Sequence, residues 1–246
     1  MDTTKFNPRF DEIIKNGPYP IRFPKSFDRD QDEEFCEVQV DGEWQKVRFH
    51  DYTKVYAIPG LYETIFYRTL RCNSPNRLST LLNEVCEERD IRTDDLRVLD
   101  FGAGNGMAGE ALQFIGVRNI VGVDILPEAK QANWRDRPWV YDDYLACDLT
   151  DLSSDDASTL SNYGFNALVT VAALGFGDIP PMAFVNAYQF ISEDGLVAFN
   201  IKEDFLRAKT RSSFSQLIQS MIQEEIIEVE LQKRYQHRLN VAGNPL

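Results

Sequence analysis

The residues of this chain with the greatest capacity for chemistry are Asp100-Phe101-Gly102-Ala103-Gly104-Asn105-Gly106, together with Asp124. The glycine run follows the apolar stretch RVLDF (97–101) and precedes a helical pattern formed by Ala108, Ala111, Leu112 and Ile115. Glycines at a strand end let the backbone turn tightly. Lacking Cβ atoms, they also let a ligand lie against the main chain. Asp124 ends a second apolar stretch, NIVGVD (119–124), 20 residues beyond Gly104. An acidic residue at that distance is placed to hold two ribose hydroxyls, so the pattern implies a ligand with an adenosine half.

Asp100 separates two ligands of that kind. The chain also fits GxGxxG through Gly104, Gly106 and Gly109, the dinucleotide fingerprint. A carboxylate at the strand end, ahead of the glycines, would repel a pyrophosphate. It would attract the ammonium group of a methionine moiety.

VLDFGAGNG resembles the first motif of the class I (Rossmann-like) S-adenosylmethionine-dependent methyltransferases of small-molecule type, and VGVDILPEA resembles their second. LACDLTDL is similar to the stretch after their third strand. The resemblance spans roughly residues 75–232. It implies that Gly102, Ala103, Gly104 and Gly106 line the methionine end of the cofactor, with Asp100 orienting its amino-acid group. Asp124 would bind the ribose, Ile125 and Leu126 would lie against the adenine, and Asp148 would take the adenine amino group with Leu149 beside it. Val171, Ala172, Ala173 and Leu174, after the fourth strand, would lie beside the sulfonium. A cap or solvated loop acid is the lesser alternative for Asp148, and Ile125 and Leu126 read equally as plain core.

The chain departs from the family after strand four. Enzymes of this fold that methylate amino groups of DNA or protein tend to carry Asn or Asp, two prolines and an aromatic there. Here the chain reads VAALGFGDIPP, and Pro180 and Pro181 suit the start of the next helix. That absence favours a small-molecule acceptor. Methylation of a protein side chain and a non-catalytic protein keeping the fold are the alternatives, with an NAD-dependent oxidoreductase behind them. The family's seventh strand is either a short RLNVAG (238–243) or missing.

Methyl transfer from a sulfonium needs mainly alignment and exclusion of water, and a base only where the acceptor proton has a high pKa. The candidate catalytic residues are Tyr56 and His50. Tyr52, Tyr56, Tyr62 and Phe176 are the candidates for acceptor contact, each with core packing as the alternative. Neither histidine nor cysteine clusters at metal-ligand spacing, so no metal is expected.

These residues require an α/β frame. Apolar strands at 97–101, 119–124, 143–147, 166–172 and 196–201 alternate with helical stretches, which indicates a doubly wound, mostly parallel sheet flanked by helices. A helix is expected over 75–90, another from Pro127, a third over 180–190 and a fourth around Phe214–Ile222. IIEVELQKRY alternates through Ile227, Val229 and Leu231, as a half-exposed edge strand would. Ahead of this core, EVQV and EWQKVRF flank Asp41-Gly42, a hairpin signal. A Tyr-rich stretch (51–70) broken by Pro59-Gly60 follows, and residues 1 to about 34 read as an irregular arm. The expected organisation is an N-terminal arm, hairpin and lid (1–74) and a Rossmann-like core (75–246).

Composition narrows the partners. The 246 residues carry 26 Lys plus Arg against 39 Asp plus Glu, a formal charge of −13. Nucleic-acid binding needs a basic surface, and no dense basic stretch is present, so DNA and RNA are disfavoured. No apolar run reaches the roughly 18–20 residues that span a membrane, and MDTTKFNPRFDE lacks the order of a signal peptide. With four scattered cysteines, read as free thiols, a cytoplasmic protein is expected.

Overall fold

A computed structural model of the chain describes residues 19–24, 31–174, 179–203 and 213–246. It divides into two units. One comprises Met1–Asn73, Trp134–Asp136 and Tyr235–Leu246, the other Ser74–Asn133 and Arg137–Arg234. Among the described residues no helix is long and apolar enough to cross a membrane.

The first unit is built on an antiparallel sheet of β1 (Ile21–Arg22), β2 (Phe35–Val40) and β3 (Glu43–Arg48) in that order. Asp41 and Gly42 have φ of 52° and 85°, positive at both turn positions, as the type I′ hairpin requires. The expected irregular arm is corrected here, because Ile21 and Arg22 pair with Val38 and Glu37. Ile21 and Val38 are both buried, which gives this two-residue strand an apolar anchor that no period in the arm reveals. Asp51 accepts the Lys54 N–H and caps α1 (Tyr52–Ala57). After Pro59-Gly60 a π-helix runs over Glu63–Thr69, where Thr69 Oγ1 donates to the Thr64 carbonyl at 2.6 Å.

The C-terminal twelve residues fold into this same unit. Leu239 and Val241 enter its core with Phe23, Phe49 and Leu61, and the Leu239 N–H donates to the Leu70 carbonyl at 2.6 Å. Arg238, buried, donates to Glu34 Oε2 at 2.5 Å, and the Val241 N–H donates to Glu34 Oε1 at 2.8 Å. RLNVAG is therefore not a strand of the main sheet. Its one bridge joins Leu239 to Pro245.

The second unit opens with α2 (Ser74–Glu88) and continues through β4 (Arg97–Phe101), α3 (Met107–Phe114), β5 (Asn119–Asp124), α4 (Pro127–Asp136), β6 (Asp143–Ala146), α5 (Ser154–Tyr163), β7 (Ala167–Leu174), α6 (Pro181–Tyr188), β8 (Leu196–Ile201) and α7 (Ser213–Gln223). The last turn of α4, Trp134–Asp136, falls in the first unit. The strands form one parallel sheet in the order β6-β5-β4-β7-β8, the doubly wound arrangement with β4 at the centre between β5 and β7. Alternate residues go to opposite faces. Leu99, Val121, Val123 and Leu168 pack with α5, α6 and α7, while Val98, Ile120, Ala167 and Val169 pack with α2 and α3.

The alternation at 227–232 does not produce a strand. Ile227 packs on the face that carries α6 and α7, and Leu231 packs on the face that carries α2 and α3. The segment thus crosses from one side of the sheet to the other, and its period of two records two separate anchors rather than a ladder. The Tyr188 hydroxyl takes the Ile226 carbonyl, Arg89 pairs with Glu230 at 3.3 Å, and Val229 stays exposed.

Candidate functional site

β4 ends at Phe101, and the chain turns through Gly102, Gly104 and Gly106 at φ of 75°, 54° and 92° before α3 begins. Left-handed backbone at three alternate positions is glycine's territory. A Cβ at Gly102 would sit 2.9 Å from the Cβ of Ala173, so the start of the loop presses against the end of β7. A Cβ at Gly106 would meet Asn133 Nδ2 at 2.6 Å. Ala103 is buried, and its N–H and that of Gly102 both donate to the Val123 carbonyl, which ties the loop to β5.

Asp124 is the joint of the site. Its Oδ2 accepts the Gly104 N–H at 3.0 Å and its Oδ1 accepts the Leu126 N–H at 3.0 Å. One half-buried carboxylate therefore joins the glycine loop to the turn after β5. Burial pushes its pKa up, and the backbone N–H groups pull it down. A carboxylate offers about four acceptor positions, and backbone N–H groups on both sides of Asp124 take several of them. Beside it Ile125 is 59% exposed, which removes its alternative reading as core; Leu126 is half-buried.

Asp100 lies under the loop, with no exposed surface. Its Oδ2 accepts the Tyr141 hydroxyl at 2.6 Å, while its buried Oδ1 has no hydrogen-bond partner among the described residues. Burial pushes its carboxyl up to about 7; the Tyr141 bond lowers it, and the neighbouring Asp124 charge raises it. A buried acceptor left unmatched is expensive unless something supplies a donor or a positive charge.

At the end of β6, Asp148 is exposed and its Oδ1 accepts both the N–H and the hydroxyl of Thr150, at 2.8 and 2.7 Å. Those bonds hold its pKa below the usual carboxylate range. Leu149 is buried against the sheet, as core. At the end of β7 the strand is irregular: the pairing with β8 shifts register between Thr170 and Leu174, and Ala172 stands at φ 56°. Asn200 Oδ1 accepts its N–H at 2.7 Å and fixes this bend. Alanine is rarely left-handed, and such strain collects at functional sites. Val171 is half-buried and Ala172 exposed. Phe176 lies outside the described residues.

The structure gathers the aromatic candidates in the first unit. Tyr52 and Tyr56 stack at 6.0 Å, Tyr56 and Tyr62 meet at 5.0 Å, and His50 is edge-on to Tyr52 at 5.7 Å. Tyr56 is buried, and Arg135 donates to its carbonyl at 3.0 Å. Burial raises the pKa of Tyr62, so its hydroxyl is a donor at neutral pH and not a base. Two residues escaped the sequence reading, Tyr141 and Tyr144. The only cue was their place at the start of the third strand, Tyr141 just before it and Tyr144 within it, and tyrosine there is ordinary packing.

No protein-family model matches the sequence, and no curated protein does. Solved structures do resemble the chain. A ribosomal-protein methylase from Lactobacillus delbrueckii subsp. bulgaricus is 20% identical, with 65% of this chain and 74% of that one covered at a TM-score of 0.43. An S-adenosylmethionine-dependent methyltransferase from Clostridium acetobutylicum is 21% identical, with 53% and 51% covered and a TM-score of 0.39. The plantazolicin methyltransferase BpumL, solved with S-adenosylhomocysteine, is 13% identical, with 68% and 64% covered and a TM-score of 0.43. The chain spans about half the length of the second and under two thirds of the third.

Proposed function

We propose that the chain transfers a methyl group from S-adenosylmethionine to a small-molecule acceptor. The observation that carries this reading is Asp124, a half-buried carboxylate at the end of β5 that braces both the glycine loop and the turn after β5. The donor set fits such a nucleoside. Asp124 suits the ribose, exposed Ile125 suits an adenine face, and the unmatched Oδ1 of Asp100 suits the positive end of an amino-acid tail. Gly102, at φ 75° and pressed against Ala173, holds the loop close to the end of β7, where only a residue without Cβ fits.

When bound, S-adenosylmethionine supplies an activated methyl group. The chain's own residues then have modest work: Asp124 orients the ribose, the glycine loop carries the methionine end, and the bent end of β7 at Ala172 borders the reacting side. Asp148 at the adenine amino group belongs to the same reading, with Oδ1 already committed to Thr150. Tyr52, Tyr56 and Tyr62 remain the proposed acceptor contacts, with core packing the competing reading for buried Tyr56. His50 is the base if the acceptor needs one. A pyrophosphate ligand fits less well, because Asp100 stands beneath the loop that would receive it.

Calorimetric titration with S-adenosylmethionine, S-adenosylhomocysteine and NAD, side by side, tests the donor. Binding of the two sulfur nucleosides without NAD supports it; NAD binding alone overturns it. Asp124→Ala should weaken S-adenosylhomocysteine binding by about 1.5–3 kcal/mol, the value of hydrogen bonds to a charged group. An unchanged affinity would remove Asp124 from the site.

A further inference from the structure

The geometry points to Tyr141 and Tyr144 as positioning residues of the glycine loop, holding it in the shape that receives the amino-acid end of the donor. This rests on the donor reading above. The Tyr144 hydroxyl, from β6, donates to the Gly104 carbonyl at 2.7 Å, and the Gly104 N–H donates to Asp124 Oδ2 at 3.0 Å. Gly104 is thus gripped at both ends, by residues of two different strands. A trans peptide is planar, so turning the Gly104 carbonyl inward onto Tyr144 turns the Asn105 N–H the opposite way.

Tyr141 acts beneath the loop, through Asp100. Its single proton lies between Asp100 Oδ2 at 2.6 Å and the Ala103 carbonyl at 3.4 Å, and the shorter bond takes it. The two rings meet edge to face, 5.4 Å apart. Small residues make way for them. A Cβ at Gly109 would come 2.7 Å from the Tyr141 ring, and one at Gly122 would come 3.0 Å from the Tyr144 ring. Gly109, the third glycine of the apparent dinucleotide fingerprint, is therefore accounted for by Tyr141 and Val140, with no pyrophosphate needed.

The test compares S-adenosylhomocysteine with 5′-methylthioadenosine, which keeps the nucleoside and lacks the amino acid. Calorimetry on the full chain is run for the wild type, Tyr144→Phe and Tyr141→Phe, with thermal melting to register folding. Tyr144→Phe should bind S-adenosylhomocysteine about tenfold more weakly, the effect of about one hydrogen bond, and 5′-methylthioadenosine unchanged. Tyr141→Phe should show the same selective loss and carries the test if Tyr144→Phe does not fold. Equal losses for both nucleosides would mark a merely structural role and overturn the inference, as would no loss at all. A wild-type chain that binds neither nucleoside sinks the donor reading itself, a result that cannot be confused with the others.

Discussion

Asp100 is the residue whose environment departs furthest from what its type leads one to expect. It was legible in the sequence as a carboxylate ahead of the glycines, but its burial and its bond to Tyr141 were not, because Tyr141 lies 41 positions away. Its raised pKa has a consequence for stability in the ligand-free chain. Between pH ~4 and ~7 the folded form keeps a proton on Asp100 that the unfolded form has released, with an ordinary value of 3.8 rising to about 7. Stability then falls as pH rises across that window and levels off above it. Asp100→Asn has nothing to titrate. Urea midpoints taken at intervals from pH 4 to 8 should show the variant gaining on the wild type up to pH ~7, then a constant difference. Parallel curves would mean that Asp100 titrates normally.

Elements followed their local signals where those signals were short-ranged. The Asp41-Gly42 hairpin, β8 over Leu196–Ile201 and α2 from Ser74 all stand where turn chemistry and periodicity put them. Helix α3 shows the competing influence of packing. Gly109 in its first turn is a poorer helix former than alanine. The reason for glycine here is spatial, since a Cβ would lie 2.4 Å from Val140 Cγ1 and 2.7 Å from the Tyr141 ring. Overpacking of that kind costs about 1–3 kcal/mol, so Gly109→Ala should lower the urea midpoint despite the better helix former. A raised midpoint would show that Tyr141 moves aside at no cost.

On the scale of the whole molecule, the C-terminal segment belongs to the N-terminal unit, anchored by Arg238 on Glu34. Both side chains are almost fully buried. Removing one member of a buried pair strands the other charge, at a cost of about 3–5 kcal/mol. Arg238→Ala should destabilise the chain by that order in denaturant unfolding. The double variant Glu34→Gln, Arg238→Met should recover most of the loss, and failure to do so would show that packing of the arginine stem matters more than its charge. His237 beside it is driven down to about 4 by burial and the Arg238 charge, so it is neutral near pH 7.

The sequence by itself determined the parallel α/β core, the glycine loop and the placing of Asp124 at the end of the next strand, because each depends on residues within a turn or a strand of one another. Only the tertiary structure decided that Ile21 and Arg22 pair with β2, that residues 227–232 cross the sheet edge instead of joining it, and that RLNVAG packs with Phe23 and Phe49. Alternation announces that a segment has two faces, and it does not say which surface will cover them. That choice is made by partners distant in the chain, as when Tyr141 and Tyr144 come to hold a loop some 40 residues earlier.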